Sequence, residues 1–210
     1  MSSNSSRYGL RRSGGQHGDV FTSPEVVSYM LDLVGYTADR DLSKTSILEP
    51  SCGEGEFVVE IIRRLLESSR RFVFDFSSAF QSNVFAYDID EAKIATCRSR
   101  IAEIASPLPL DGNIRQADFL IADISSFDIV VGNPPYIRYE QIPADLLSVY
   151  KQQFHTFHYR ADLYILFFEK TLTHLNPGGR HCFVCSNRWL KNEYGKKLRG
   201  WIAHSFRVDS

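Results

Sequence analysis

The sequence predicts an α/β fold in which a doubly wound, mostly parallel β-sheet carries helices on both faces. Segments of strand length alternate along the chain with segments of helical spacing. The strand segments are continuous apolar runs, which is typical of parallel strands buried on both faces. Ligands of such sheets bind beyond the carboxyl ends of the strands, where the strand order reverses.

Composition limits the class of protein. The chain has 210 residues, of which 43% are hydrophobic and 23% charged, and this excludes a disordered or collagen-like chain. The sequence has no run of about 18 apolar residues, so we predict no membrane-spanning helix. The first residues lack the apolar core of a secretory signal. Four cysteines do not form the pattern of a disulfide framework, so we predict a cytoplasmic protein.

The first half of the chain opens with a segment rich in Ser, Gly and Arg over residues 1–18, for which we predict a flexible arm. The domain then occupies residues 19–210. Thr22 or Ser23 followed by Pro24 predicts a helix start, and Gly35 its end. A buried strand, a glycine turn and a helix with apolar spacing follow. The predicted elements are a helix over 24–34, a strand over 46–50, a helix over 57–69, an inserted helix or loop within 68–82, a strand over 83–90 and a helix over 91–105.

The second half continues the alternation. The run FDIVVG is apolar on both faces and predicts a buried strand, and Asn176-Pro177-Gly178-Gly179 is expected to end a long apolar helix. Cys182 and Cys185 stand three apart in a predicted strand, on opposite faces, so no metal site is expected there. The predicted elements are strands over 114–119 and 127–132, a helix over 161–175, a strand over 180–187 and helical structure after it.

A glycine turn follows the first strand, in Glu49-Pro50-Ser51-Cys52-Gly53-Glu54-Gly55. Glycines let the backbone approach a ligand, and the following helix start offers free N–H groups. The turn is neither the GxGxxG motif nor a phosphate loop. Glu49, Glu54 and Glu56 would repel a pyrophosphate and suit a cationic ligand such as a sulfonium or ammonium group. A purely structural turn is the alternative.

Carboxylates end the next two strands. Asp88 can accept hydrogen bonds from both hydroxyls of a ribose, or it can cap the helix that begins at residues 90–93. Asp118 can accept from an adenine amino group, and the ring of Phe119 can lie on a base face. A cap or turn is again the alternative for Asp118.

Asn133-Pro134-Pro135-Tyr136 is the sharpest motif. Two prolines constrain the backbone and remove two N–H donors. The Asn133 side-chain oxygen and the Pro134 carbonyl can then accept both hydrogens of one planar amino group. Tyr136 offers a face on which a planar target can stack. The alternative is an ordinary loop after a buried strand.

The carboxyl-terminal segment is basic. Residues 180–207 hold seven Lys and Arg against one acid, whereas residues 1–179 hold 17 bases and 23 acids. A basic end on an acidic body fits an edge that faces phosphates. A solvated basic helix is the alternative.

These motifs resemble the S-adenosylmethionine-dependent DNA adenine-N6 methyltransferases of restriction-modification systems, of the gamma-ordered NPPY type that includes fused restriction–methylation enzymes. The resemblance covers about residues 17–207 and follows the family's order. It is carried by HGDVFTSPEVVSYML, ILEPSCGEGEF, AYDID, ADF, GNPPYIRYE, RADLYILFFEKTLTHLNPGG and SNRWLKNEYGKKLRGWI. It implies a Rossmann-like class I methyltransferase fold.

The resemblance also implies a role for each motif. Thr22 would hold the methionine end of S-adenosyl-L-methionine, and Glu49, Ser51 and Gly53 its methionine and sugar portions. Asp88 would bind the ribose, and Asp118 and Phe119, with Phe167, the cofactor's adenine. The implied cofactor-binding residues are Thr22, Glu49, Pro50, Ser51, Cys52, Gly53, Asp88, Ile89, Asp118, Phe119, Asn133 and Phe167, and the implied catalytic residues are Asn133, Pro134, Pro135 and Tyr136.

The reaction implied is methyl transfer to the exocyclic N6 of an adenine flipped out of double-stranded DNA, with no obligate metal and no membrane. Two features depart from the family: Asp88 stands where many relatives have Glu, and the chain ends at Ser210, before the expected second aromatic residue and target-recognition region. A recognition domain or a separate specificity subunit is therefore an expected partner. The alternatives are a protein glutamine-N5 methyltransferase, an RNA base methyltransferase, and a cofactor-binding fragment without activity of its own.

Overall fold

The computed structural model describes residues 22–209, which form two compact units. The sheet unit comprises residues 22–134 and 171–184, and the helical unit comprises residues 135–170 and 185–209. The predicted arm over residues 1–18 lies outside the described residues. No helix among residues 22–209 is long and apolar enough to cross a membrane.

The sheet unit contains five strands, and every pair of neighbours is parallel. The spatial order is β3-β2-β1-β4-β5, so the chain leaves β1 towards one edge and later returns to its other side. The reversal lies between β1 and β4, where a parallel sheet opens a crevice for ligands. The predicted α/β class is confirmed. The strands are β1 (Ile47–Glu49), β2 (Val84–Asp88), β3 (Ile114–Gln116), β4 (Phe127–Gly132) and β5 (Leu175–Phe183).

The helices of the sheet unit bury one apolar face each. In the second helix, Ile61, Ile62 and Leu65 are almost fully buried and follow helical spacing. The inserted segment after it forms a short helix, capped by Asp75, whose side chain accepts from the Ser78 N–H. The helices are α1 (Pro24–Leu33), α2 (Glu56–Phe72), α3 (Phe76–Asn83) and α4 (Glu91–Ile104).

A buried arginine joins the first two helices. Arg64 on α2 donates to Asp32 Oδ1 at 2.6 Å and to Glu60 Oε1 at 3.0 Å, and it also donates to the Tyr36 carbonyl. The third guanidinium nitrogen, Nη2, donates to the Ser28 hydroxyl at 2.7 Å. A buried charge needs partners of this kind to offset its desolvation, so Arg64 sets how α1 lies on α2.

The last strand differs from its prediction. The predicted strand over 180–187 is wrong in its bounds, because β5 begins at Leu175 and ends at Phe183, before Cys185. The prediction that residues 176–179 end the preceding helix is also wrong, because that helix ends at Thr173. Residues 176–179 instead form an irregularity inside the strand: Leu175 pairs with Phe127, whereas Arg180 pairs with Ile129. At Gly179 a Cβ would lie 2.8 Å from the Asn176 carbonyl and 2.9 Å from the Asp128 carbonyl, so this close backbone approach requires glycine.

The helical unit carries an element that the sequence analysis did not predict. Residues 137–160 carried no predicted helix, yet Ala144–Gln153 forms one. The chain after it is held by Glu169, whose carboxylate accepts from the His155 and Thr156 N–H groups at 2.9 and 2.7 Å. The helices are α5 (Ala144–Gln153), α6 (Tyr164–Thr173), α7 (Arg188–Lys191) and α8 (Lys196–Ser205), with 3₁₀ turns at Tyr139–Gln141 and Glu193–Gly195; the last residues of α6 belong to the sheet unit.

Candidate functional site

The turn after β1 is shaped by two glycines with left-handed backbones. Gly53 has φ +54° and Gly55 has φ +95°, a region that favours glycine. The Gly55 N–H donates to the Cys52 carbonyl at 2.8 Å, and the Cys52 N–H donates to the Tyr87 carbonyl at 2.8 Å. The turn is therefore bonded to itself and to the end of β2. The thiol of Cys52 is buried in the core, in agreement with a packing residue.

Glu49 ends β1 as a buried carboxylate. Only 2% of its surface is exposed, and its Oε2 accepts no hydrogen bond from residues 22–209. Burial raises the pKa of Glu49 well above its usual range, and the nearby Cys97, Glu56 and Asp88 raise it further. A cation beside Glu49 would offset the free-energy cost of ionising this buried carboxylate, so the position favours a positively charged ligand.

Asp88 ends β2 and is bonded to the glycine turn. Its Oδ2 accepts from the Gly53 N–H at 2.9 Å, and its Oδ1 accepts from the Asp90 N–H at 2.9 Å. Burial raises the pKa of Asp88, although these two hydrogen bonds act in the opposite direction. The cap of α4 is Asp90, which accepts from the Ala92 and Lys93 N–H groups, so the alternative reading of Asp88 as that cap is wrong. Ile89 lies between the two aspartates and is half-buried.

Asp118 and Phe119 follow β3 and pack at the end of β2. The Ala117 N–H donates to the Asp88 carbonyl at 2.9 Å, and the Phe119 ring lies 5.6 Å from the Tyr87 ring. Asp118 is 6% exposed, and its Oδ1 accepts from the Leu120 N–H at 2.9 Å. Asp118 therefore forms the turn contact that was the alternative to a binding role.

Asn133 follows β4 and contacts the turn after β1. The Ser51 hydroxyl donates to the Asn133 carbonyl at 3.2 Å, and Asn133 Nδ2 donates to Thr22 Oγ1 at 3.3 Å. A Cβ at the preceding Gly132 would lie in ordinary contact with Pro50 Cδ, at 3.4 Å. The structure thus brings Thr22, Ser51 and Asn133 together, although they are far apart in sequence. Pro134, the next residue, is buried.

The remaining predicted residues, Pro135, Tyr136 and Phe167, belong to the helical unit. There the Tyr136 ring is tilted against the Tyr164 ring, with centroids 5.8 Å apart. Burial raises the pKa of Tyr136, and the nearby Cys185 and Asp162 raise it further. Phe167 is buried on α6. Tyr136 is therefore a half-buried neutral ring supported by a second tyrosine.

Sequence analysis missed two sets of residues. Cys97 on α4 packs against the glycine turn, with its Sγ 2.8 Å from where a Gly55 Cβ would lie, and no sequence signal points to this contact. Arg138 and Arg160 line a cavity of the helical unit together with Arg188. Arg138 lies inside the quoted GNPPYIRYE stretch, two residues after Tyr136, so its position was the signal available.

The five-stranded parallel sheet and its helices match solved structures of class I S-adenosylmethionine-dependent methyltransferases, so the chain has that fold. The methyltransferase subunit of a type I restriction-modification system from Streptococcus thermophilus aligns with 90% of this chain and 40% of its own, with a TM-score of 0.59 and 17% identity. At that identity the match concerns the fold alone.

The family follows from sequence comparison. Residues 83–210 match the Eco57I restriction-modification methylase family. The Type II methyltransferase M.XhoI of Xanthomonas vasicola is 45% identical over 92% of this chain, and M.PaeR7I of Pseudomonas aeruginosa is 40% identical over 91%. The chain belongs to the Eco57I restriction-modification methylase family. It spans 38% of the length of the first relative and 35% of the second.

Proposed function

We propose that the protein carrying this chain transfers a methyl group from S-adenosyl-L-methionine to the exocyclic N6 of an adenine flipped out of double-stranded DNA, as part of a restriction-modification system. The observation that carries the proposal is the contact of Asn133 with Ser51 and Thr22, which joins the NPPY motif to the glycine turn. The names of the family and of its two relatives support a DNA substrate.

The residues around the turn fit this cofactor. S-adenosylmethionine supplies a methyl group activated by a sulfonium charge. Glu49 has a buried Oε2 without a hydrogen bond from residues 22–209, and the cationic methionine portion would supply a countercharge for this carboxylate. Each carboxylate oxygen of Asp88 accepts one hydrogen bond from a backbone N–H group, and its remaining lone pairs can accept from ribose hydroxyls. Asp118, Phe119 and Ile89 would hold the adenine portion.

Asn133 and Pro134 would hold the target amine. A side-chain amide oxygen and a carbonyl oxygen accepting from both N–H groups turn the nitrogen towards tetrahedral geometry and localise its lone pair. Positioning and electrostatics are then the protein's main contribution. Flipping the base costs a few kcal/mol of stacking and pairing, and Tyr136 would return about 1–3 kcal/mol by stacking on it.

The proposal is tested by incubating the protein with tritiated cofactor and double-stranded DNA that contains all four bases, with RNA and a glutamine-containing protein in parallel assays. We expect label on adenine N6 after nucleoside digestion. Label on cytosine, on RNA or on a protein glutamine would refute the assigned substrate. Cofactor binding without transfer to any duplex would favour the inactive-fragment alternative.

Asn133→Ala tests the amine clamp. We expect loss of methyl transfer by at least about a hundredfold, the scale on which removal of one positioned polar group acts, while the cofactor dissociation constant changes little. Asn176→Ala, a change of the same chemistry at the irregularity in β5, is the matched control and should leave transfer close to normal. Equal transfer by Asn133→Ala and the native protein would contradict the proposed clamp.

A further inference from the structure

The helical unit contains a cavity of about 370 Å³ that the glycine turn and the amine clamp do not use. This volume is at the lower end of the range for small-ligand sites. Three arginines, Arg138, Arg160 and Arg188, line it together with Glu140 and Asp162. Arginine is the residue best suited to planar, two-point binding of phosphate or carboxylate oxygens.

Backbone contacts position the segments that carry Arg138 and Arg188. Arg138 and Asp162 face each other in an antiparallel bridge, and the neighbouring Leu163 N–H donates to the Ile137 carbonyl at 2.7 Å. Arg188 is the first residue of α7, and the Ser186 hydroxyl accepts from its N–H at 3.3 Å. Two separate chain segments therefore meet at the cavity and bring their guanidinium groups with them.

The three guanidinium groups are available to a ligand. Within residues 22–209, none of them forms an ion pair with a carboxylate within 4.0 Å or a hydrogen bond, whereas Arg98 and Arg100 of α4 each have an acidic partner. The three arginines outweigh Glu140 and Asp162 by one positive charge. Burial raises the pKa of Asp162, although Arg138 and Arg188 act in the opposite direction.

We propose that this cavity binds one phosphodiester group of the DNA substrate. The surplus of one positive charge matches the single negative charge of a phosphodiester. Arg138 follows Tyr136 by two residues, so the bound phosphate would position the strand that carries the target base without reading its sequence. The inference rests on the proposed function, because it takes DNA as the substrate.

The experiment measures binding of a fluorescent DNA duplex by anisotropy over a range of salt concentrations. The slope of log K against log salt reports the number of phosphates neutralised, at about 0.9 for each phosphate in a duplex. We expect the variant R138Q/R160Q/R188Q to lower the magnitude of the slope by about 0.9, because three arginines share one phosphate. Arg70→Gln, an exposed arginine of α2, is the matched control and should leave the slope unchanged.

Other results overturn the inference. An unchanged slope would show that the cavity does not contact DNA. A decrease of about 2.7 in the magnitude of the slope would show that the three arginines contact three separate phosphates instead of forming one site. Inorganic phosphate that binds the native protein but not the triple variant, with no change in the DNA slope, would identify a site for free phosphate only.

Two further measurements keep the outcome unambiguous. Circular dichroism and the affinity for cofactor should match the native protein in the triple variant. If the triple variant does not fold, Arg160→Gln alone should still weaken DNA binding relative to Arg70→Gln, and equal binding would refute the site. Failure of the proposed function differs from all of these results, since the native protein would then bind no duplex or would methylate something other than DNA.

Discussion

Replacing Gly55 by alanine tests how tightly the turn after β1 is packed. Gly55 has φ +95°, and a left-handed backbone costs a residue with a Cβ about 1–2 kcal/mol. The new Cβ would also lie 2.8 Å from Cys97 Sγ, 3.3 Å from its Cβ and 3.4 Å from its Cα. Rotating the thiol away does not relieve the last two contacts. Overpacking of this kind costs about 1–3 kcal/mol, so we expect Gly55→Ala to lower the free energy of unfolding by about 2–5 kcal/mol.

Gly53→Ala in the same turn is the control. Gly53 also has a left-handed backbone, but the nearest atom to its Cβ would be Glu56 Oε2, at an ordinary 3.7 Å. Only the conformational cost of about 1–2 kcal/mol remains. Urea unfolding followed by far-UV circular dichroism gives both values. Cys97→Ala should recover part of the Gly55→Ala loss in the double variant, because the closest contact is then removed. Equal losses for Gly53→Ala and Gly55→Ala would refute the packing argument.

Two more predictions concern the sheet unit. Arg64→Met removes charged hydrogen bonds to Asp32 and Glu60 as well as bonds to backbone carbonyls, and should lower the free energy of unfolding by about 2–3 kcal/mol in urea; a loss below about 0.5 kcal/mol would contradict a structural role for this cluster. Burial lowers the pKa of His181 to about 3. Between about pH 6.5 and 3, His181 is therefore protonated in the unfolded chain and neutral in the folded chain. Stability should therefore fall as pH falls through this window, by at most about 1.4 kcal/mol per pH unit, and His181→Gln should flatten that part of the profile; identical profiles would show that His181 is accessible to protons.

Much of the fold was readable from apolar patterns. The run FDIVVG was predicted as a strand over 127–132, and β4 has those bounds, since a continuous apolar segment after a turn has few other places to lie. The helix from Glu91 to Ile104 was predicted to within one residue. Helix α5 was missed because its residues are mostly polar or exposed and carry little helical periodicity. The NPGG segment was expected to separate a helix from a strand, but the helix ends earlier, at Thr173, and the segment lies inside β5. It forms an irregularity there, because the residues on both sides of it pair with β4.

The candidate site also has a part that the sequence could predict and a part that only the folded structure shows. Glu49, Asp88, Asp118 and Asn133 could be placed at strand ends from the order of local motifs, and parallel pairing requires neighbouring strand ends to meet at one edge. Local order cannot say which atoms then touch. Ser51 and Thr22 form hydrogen bonds with Asn133, and Arg138 and Arg188 line the same cavity, only because the folded backbone brings together segments that are dozens of residues apart. Such contacts depend on distances in space, and a one-dimensional pattern carries no information about them.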